Sequence, residues 1–237
     1  MAIHECTWGA AESGPRYLTG NVGRHHEGSG NRGESRTDKG LSWEEFLKWH
    51  WEVIAATDFF TTEVWTRAGL IRYHVLFVIR LSSRKVYIAG IIPEPHGAWM
   101  KQIARNLTDC EYGFLLGYEP LIHDRGTAFC EVVRETLGQG GVKTIRLPRR
   151  SPNLNAYEER WVRTIKENFL DQLILIGEKS LRRAVSEFVE YYNTERAHLG
   201  LENKIIEPKF EEMPNEGEIV RESRLGGMLN YYYRKAA

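Results

Sequence analysis

Two apolar runs rich in β-branched and aromatic residues lie next to each other in this chain, at 70–79 and 85–92. A short polar stretch containing Ser82, Ser83 and Arg84 separates them. Runs of this composition are typical of β-strands, and so short a connection joins antiparallel neighbours. The sequence therefore predicts two adjacent antiparallel strands, a β-hairpin.

The elements on either side of this hairpin predict more strands and the first helices. Residues 53–60 form an earlier strand-like run. After the hairpin the pattern predicts a helix at 96–107, a strand at 120–123, a helix at 129–137 and a strand at 142–147. Three strands followed by an alternation of helix and strand predict a mixed α/β fold.

Three acidic residues occupy positions from which they can meet at one site. Asp58 lies inside the first strand-like run, and Asp124 follows the strand at 120–123. Glu159 comes 35 positions after Asp124, at the start of a further predicted helix. Carboxylate oxygens are the ligands that Mg²⁺ and Mn²⁺ prefer, so the three residues are candidate ligands of a divalent-metal site.

The predicted helix around Glu159 gives two neighbouring glutamates different roles. Pro152 disfavours an earlier start, so Asn155 is the expected N-cap and Glu158 is expected to close a capping box with it. Glu159 is then left free to bind a metal. An apolar stripe that should pack on the sheet follows at Trp161, Ile165, Phe169 and Leu173.

The contexts of these acids resemble the catalytic core of DDE transposases of the retroviral-integrase type, carried by bacterial insertion sequences. The resemblance rests on Ala-Thr-Asp-Phe-Phe around Asp58, His-Asp-Arg-Gly around Asp124 and Ser-Pro-Asn-Leu-Asn-Ala-Tyr-Glu-Glu-Arg around Glu159. The later stretches 192–201 and 207–208 are similar to the end of the same core. The resemblance implies an RNase H-like fold, which is a mixed sheet with flanking helices. We place this core at 41–210.

The resemblance also implies an activity. Asp58, Asp124 and Glu159 would bind two Mg²⁺ or Mn²⁺ ions, and the protein would cut DNA at mobile-element ends and join the freed 3′-OH to target DNA. Such enzymes act as multimers that bring two ends together, so a homo-oligomer is expected. Two alternatives stay open: a Mg²⁺-dependent nuclease on the same fold, and a non-catalytic DNA-binding remnant of a truncated transposase.

Net charge is zero, although a protein that acts on DNA is expected to show a basic surface. The stretch from Lys143 to Lys166 nevertheless has seven basic and two acidic residues. We expect five of these basic residues to contact DNA: Arg149, Arg150, Arg160, Arg163 and Lys166. The family resemblance implies that Lys166 lies near the cleaved bond, and the alternative is that it belongs to an exposed salt-bridging face.

The ends of the chain carry less information. Residues 1–40 contain eight glycines and show no helical or alternating period, so we interpret them as a disordered or degenerate segment without the helix-turn-helix region of similar transposases. Loss of that region through truncation would leave this copy inactive. Residues 211–237 are expected to form a short strand or a small appendage. No apolar run is long enough for a membrane span, so we expect a cytoplasmic, nucleoid-associated protein.

The region between Glu159 and the C-terminal tail predicts packing more than chemistry. Residues 180–192 have an amphipathic period and begin with Ser180, which predicts a serine-capped helix. His198 is expected to be structural. The family pattern usually has proline before this histidine, whereas Ala197 stands here.

Overall fold

The computed structural model describes residues 43–124, 126–147, 156–209 and 216–235. The predicted disorder at 1–40 lies outside these residues, as do Arg149, Arg150 and the expected N-cap Asn155. Within the described residues no helix is long and apolar enough to cross a bilayer.

Three antiparallel strands form the first part of the central sheet. They are β1 (Ala55–Thr66), β2 (Gly69–Arg80) and β3 (Val86–Ile92). The predicted hairpin of β2 and β3 is confirmed by their antiparallel pairing. β1 extends six residues beyond the predicted end at 60, because its outer half pairs with β2 as far as Thr66.

Two short parallel strands complete the sheet. β4 (Pro120–His123) pairs with β1, and β5 (Lys143–Arg146) pairs with β4. The strand order is therefore β3-β2-β1-β4-β5. A meander of three antiparallel strands followed by parallel strands added beside the first is the RNase H-like arrangement, so the predicted fold class is confirmed.

Helices cover both faces of the sheet. The helices are α1 (Trp43–His50), α2 (Gly97–Leu107), α3 (Glu131–Gln139), α4 (Ala156–Glu167) and α5 (Gly177–Thr194). α2 and α3 bury one apolar cluster with Leu76 and Leu121, and α4 and α5 bury the other with Phe77 and Ile122. These pairs come from adjacent strand positions, as expected for side chains that alternate between two covered faces.

One predicted helix start is wrong. α5 begins at Gly177, three residues before the predicted serine cap. Ser180 lies inside the first turn, where its hydroxyl donates to the carbonyl oxygen of Gly177 at 2.8 Å. A hydroxyl bonded back to the preceding turn is compatible with a helix interior.

Trp161 joins α4 to the sheet. Its side chain is 1% exposed, and its ring centroid lies 4.3 Å from that of Phe77 and 5.6 Å from that of Phe60. Replacing a buried tryptophan by alanine typically costs about 3–5 kcal/mol. This contact therefore fixes how α4 is rotated above β1 and β2.

The end of α5 closes the edge of the sheet. The Asn193 side chain accepts from the backbone N–H of Val86 at 3.1 Å and donates to its carbonyl oxygen at 2.9 Å, so it pairs with edge strand β3 as a neighbouring strand would. Nearby, a ring nitrogen of His198 donates to the carbonyl oxygen of Tyr192 at 2.8 Å. These contacts support the structural role predicted for His198.

The C-terminal residues form a two-stranded antiparallel hairpin of β6 (Ile219–Arg224) and β7 (Leu229–Arg234). Arg224 on β6 binds Glu195, whose side chain is only 1% exposed, at 2.8 Å. Lys209 also reaches Glu195, at 2.7 Å. The hairpin is therefore fastened to the end of α5 by a buried carboxylate that has two cationic partners.

Glu195→Gln should weaken this attachment, because it leaves the Arg224 guanidinium without its buried charge partner. We expect a loss of about 3 kcal/mol in the free energy of unfolding at neutral pH. Burial alone raises the pKa of Glu195, but hydrogen bonds and charges from Arg224 and Lys209 lower it below its ordinary value of 4.5 overall. The ionised carboxylate thus stabilises the fold above that value, and the contribution is lost as the pH falls through the lowered pKa.

Urea unfolding of the wild type and Glu195→Gln across this acid range measures the difference. Glu187→Gln is the matched control, because Glu187 lies on α5, the helix that Glu195 follows, and pairs with the exposed Arg183. Equal losses in the two variants, or a wild-type advantage that persists at the lowest pH, would contradict the role assigned to Glu195.

Candidate active site

Asp58 and Asp124 are brought together by the parallel pairing of β1 with β4. The register aligns Ala56 with Ile122 and Thr57 with His123, so the next position on each chain is an aspartate. Neighbouring strands lie about 4.8 Å apart. The two aspartates therefore occupy neighbouring positions where β4 ends.

Both aspartates belong to the face of the sheet that α4 covers. Side chains alternate along a strand, so Asp58 shares the face of Ala56 and Phe60, and Asp124 continues that of Ile122. All three apolar residues lie in the cluster buried by α4 and α5. The candidate site is thus at the C-terminal end of β4, beneath the start of α4.

The turn after β4 orients the Asp124 carboxylate. One of its oxygens, Oδ1, accepts from the backbone N–H of Gly126 at 2.9 Å. A Cβ atom at position 126 would lie 2.9 Å from the same oxygen, so glycine is the residue that lets the turn close this tightly. Asp124 itself is exposed.

His123 supports this turn from below. It is 1% exposed, its ring stacks on Phe129 at 4.5 Å, and its Nδ1 atom donates to the carbonyl oxygen of Asp124 at 2.6 Å. Burial lowers the pKa of His123. A neutral imidazole protonated at Nδ1 therefore fixes the backbone of the neighbouring acid.

Asp58 is half-buried, and one of its carboxylate oxygens accepts from the backbone N–H of Phe59 at 2.7 Å. Its partner in the antiparallel register is Phe77, the residue against which Trp161 packs. The first turn of α4 is therefore held close above Asp58.

Glu158, on that first turn, is the glutamate that faces inward. It is 0% exposed, and burial raises its pKa to about 8, with further upward contributions from the charges of Asp58 and Glu159. Glu158 precedes Trp161 by three positions and Ile165 by seven, which places all three on one stripe of the helix. Assigning the two glutamates from the expected capping box alone therefore misses a buried carboxyl group whose pKa the charge of Asp58 affects.

Glu159 is exposed on the adjacent side of the helix. Within the described ranges no group of three histidine, cysteine or acidic side chains is close enough together to hold a metal ion. The donor chemistry nevertheless fits: Mg²⁺ is usually held by one or two carboxylates together with waters and substrate phosphates. Asp58 and Asp124 are two carboxylates at neighbouring strand positions, and Glu159 would complete a three-carboxylate set only by approaching them.

The predicted DNA-binding residues that the structure describes lie on α4. Arg160 and Arg163 are exposed. Lys166 is half-buried and lines a polar cavity of about 390 Å³ together with Thr61, Thr62 and Arg72. Thr62 is four residues after Asp58 on β1, so the Cα atoms of these two residues lie about 13 Å apart.

Extending the predicted α4 stripe backwards would have identified Glu158. The stripe contains Trp161 and Ile165, and one turn towards the N-terminus leads to position 158. The expected capping box drew attention to Asn155, which lies outside the described residues. Periodicity was therefore the more informative signal at this position.

Glu158→Gln should remove a pH dependence of folding. In metal-free protein the folded state holds the Glu158 proton up to about pH 8, whereas the ordinary pKa is 4.5. The contribution of Glu158 to stability should therefore be complete below pH 4.5 and fall as the pH rises towards 8. Each unit of pKa shift corresponds to about 1.4 kcal/mol, so the decline should amount to several kcal/mol.

Urea unfolding in EDTA over this pH range tests the assignment. Glu158→Gln should be flatter than the wild type, and Glu167→Gln, at the exposed end of the same helix, should follow the wild type. An unchanged slope in Glu158→Gln would show that another group titrates.

Comparison with known proteins places this geometry in context. Residues 140–205 match the family model described as an integrase core domain. No curated protein sequence matches the chain. Among solved structures, the crystal structure of the catalytic core domain of BIV integrase is similar at 15% identity and a TM-score of 0.46, covering 63% of this chain and 88% of that one.

The matched stretch contains α4 with Glu158 and Glu159 and the whole of α5. It thus includes one side of the candidate site and the residues that close the sheet edge. The resemblance of the chain to an integrase- and transposase-type catalytic core is thereby confirmed.

Proposed function

We propose that this protein is a metal-dependent polynucleotidyl transferase that cuts DNA at mobile-element ends and joins those ends to target DNA. The observation that carries the proposal is the side-by-side placement of Asp58 and Asp124 beneath α4. The integrase-core match over 140–205 adds that α4 belongs to a domain of transposase or integrase type.

The carboxylates act by holding and orienting ions. Asp58 and Asp124 would provide oxygen ligands, and the N–H groups of Phe59 and Gly126 already fix one oxygen of each. Bound Mg²⁺ or Mn²⁺, two ions in this class of chemistry, supplies charge stabilisation for an in-line displacement at phosphorus.

Glu159 is the third proposed ligand, in preference to Glu158. A ligand that shares an ion with DNA phosphates must be reachable from solvent, and Glu159 is exposed whereas Glu158 is completely buried. Glu158 contributes instead to the environment of Asp58.

DNA would lie along the outer surface of α4. Among the ion pairs of the described residues, none involves Arg160, Arg163 or Lys166. Their positive charges therefore remain available for phosphates, unlike those of an internally paired salt-bridging face. Arg149 and Arg150, proposed for the same role, lie in the part of the chain that the structure leaves undescribed.

The reaction also sets the partners of the protein. Joining two element ends in one event requires two active sites, so we propose that the protein works as a homo-oligomer on element-end and target DNA. A cytoplasmic location at the nucleoid follows from such a substrate.

A second candidate function is DNA binding without catalysis. It is favoured by one observation, that no three potential metal ligands cluster within the described ranges. A nuclease that cuts without joining is the remaining alternative, and the products of the reaction distinguish all three.

Asp58→Asn, Asp124→Asn and Glu159→Gln should each reduce metal-dependent nicking and strand transfer by at least about 100-fold, the scale of removing one electrostatic stabiliser of a transition state. The assay uses DNA carrying the flanking element ends with Mn²⁺, and Glu167→Gln is the control. Folding and DNA binding should be retained, because the replacements are close in shape.

The pattern of losses decides between the assignments. Loss in Glu158→Gln with retention in Glu159→Gln would transfer the ligand role to Glu158. Nicking without joined products would favour the nuclease, and folded protein that binds DNA but does neither would favour the non-catalytic alternative.

Lys166→Ala should weaken DNA binding and make the slope of log affinity against log salt concentration less negative by about 0.9, the value for one phosphate contact on duplex DNA. Fluorescence anisotropy over a salt series measures both quantities. Lys179→Ala removes an exposed lysine from α5 and should leave the slope unchanged. Equal effects of the two substitutions would reject a specific role for Lys166.

A further inference from the structure

The C-terminal hairpin has two faces of different character. Residues that pair directly across β6 and β7 share a face, and the strands alternate between the two faces. Three pairs form what we call the inner face: Val220 with Tyr233, Glu222 with Tyr231, and Arg224 with Leu229. The other three pairs form the outer face: Ile219 with Arg234, Arg221 with Tyr232, and Ser223 with Asn230.

The inner face attaches the hairpin to the core. Leu229 and Tyr231 are buried, each with 6% of its surface exposed. Leu229 belongs to the apolar cluster that α4 and α5 cover. Arg224 reaches Glu195 at 2.8 Å and Glu190 at 2.8 Å. Among the paired residues of the hairpin, the acidic one is Glu222. It also lies on the inner face, where its carboxylate is 3.3 Å from the Lys209 ammonium.

The outer face is turned away from this attachment and carries positive charge. Arg221 and Arg234 are exposed, and Tyr232 is 58% exposed between them. Tyr232 lies opposite Arg221 and two residues before Arg234. Since the other three members are Ile219, Ser223 and Asn230, the outer face has two cations and no carboxylate.

Both arginines are held in place without losing their charge. Nε of Arg221 donates to the side-chain oxygen of Asn230 at 2.9 Å, and a guanidinium nitrogen of Arg234 donates to the carbonyl oxygen of Gly217 at 3.0 Å. Within the described part of the chain neither arginine makes an ion pair. Each guanidinium has five N–H donors, so most of them remain free.

We propose that this outer face, which lies outside the catalytic core, is a second DNA-binding surface that binds the sugar–phosphate backbone of duplex DNA. The inference rests on the proposed function insofar as DNA is taken to be the substrate. Arg221 and Arg234 bind phosphate oxygens, and Tyr232 packs against the intervening sugar or donates its hydroxyl to a phosphate.

Charge and rigidity select this partner. An acid-free pair of ordered arginines flanking an exposed aromatic ring complements a regularly spaced anion, and phosphate is the group that arginine binds in a bidentate manner. Because Arg224 fixes the hairpin from its inner face, the outer face is presented without the entropy cost of ordering a loose tail. Its contacts add to those of Arg160, Arg163 and Lys166 on α4.

The test is a salt titration of DNA binding by the full chain. A short fluorescein-labelled duplex of arbitrary sequence is the probe, and anisotropy gives affinity at each salt concentration. The variant with Arg221→Gln and Arg234→Gln should bind more weakly, and its slope of log affinity against log salt should be less negative by about 2, since each phosphate contact contributes about 0.9.

The matched control replaces Arg105 and Lys101 with glutamine. Both lie on α2, which packs on the opposite face of the sheet from the cluster that contains Leu229. This variant loses the same formal charge and should keep the wild-type slope. Tyr232→Phe and Tyr232→Ser separate the hydroxyl from the ring, and affinity should fall further when the ring is lost.

The outcomes separate this proposal from the proposed function. The second-surface proposal is rejected if the double hairpin variant keeps the wild-type slope of log affinity against log salt, or if the hairpin and α2 variants change it equally. Neither result affects the active-site proposal. Asp124→Asn should bind the duplex like the wild type even without turnover, so loss of catalysis alone does not affect the result. If the wild type binds no DNA, both proposals fail. The double variant is replaced by Arg234→Gln alone if it unfolds at lower urea than the wild type, because this single change loses only a hydrogen bond to a backbone carbonyl. Arg234→Gln must still make the slope less negative by about 1.

Discussion

Three residue pairs between β1 and β4 determine how the rest of the molecule is assembled. Ala55, Ala56 and Thr57 align with residues 121–123, and every member of these pairs is buried. A parallel pairing cannot form locally, because the chain must first cross over through α2. A slip of one residue would turn each side chain to the opposite face. The same register that joins the two parts of the sheet therefore aligns Asp58 with Asp124.

The packing of Trp161 is the second constraint, and it imposes a cost. With Trp161 against Phe77, the rotation of α4 is fixed and Glu158 must point inward, where its charge is unfavourable beside Asp58. Burying a carboxyl group without an opposite charge is tolerated when the group stays protonated. The same rotation leaves Glu159 exposed. The arrangement that costs stability at Glu158 is therefore also the one that makes Glu159 accessible to solvent.

The sequence predicted what depends on local pattern and missed what depends on distant contacts. Alternating and helical patterns of apolar residues identified the strands, the mixed α/β fold class and the helix that carries Glu159. The outer half of β1 was missed because residues 61–63 are polar and stand partly in solvent, so only pairing with β2 shows that they are strand. The inward rotation of Glu158 depends on Phe77, far away in the chain, and no capping rule contains that information. Whether Glu159 meets the aspartates is a question of tertiary approach that spacing alone does not answer.

A net charge of zero does not argue against DNA binding once the ion pairs are placed in the fold. Many acidic side chains are already neutralised by neighbouring cations: Glu190 and Glu195 share Arg224, and Glu178 pairs with Arg182. The opposite charges of such a pair cancel each other at a distance, and salt screens what remains beyond about 10 Å. Cations without an internal partner then dominate the surface where they occur. The distribution of pairing, more than the sum of charges, decides where this molecule can hold a polyanion.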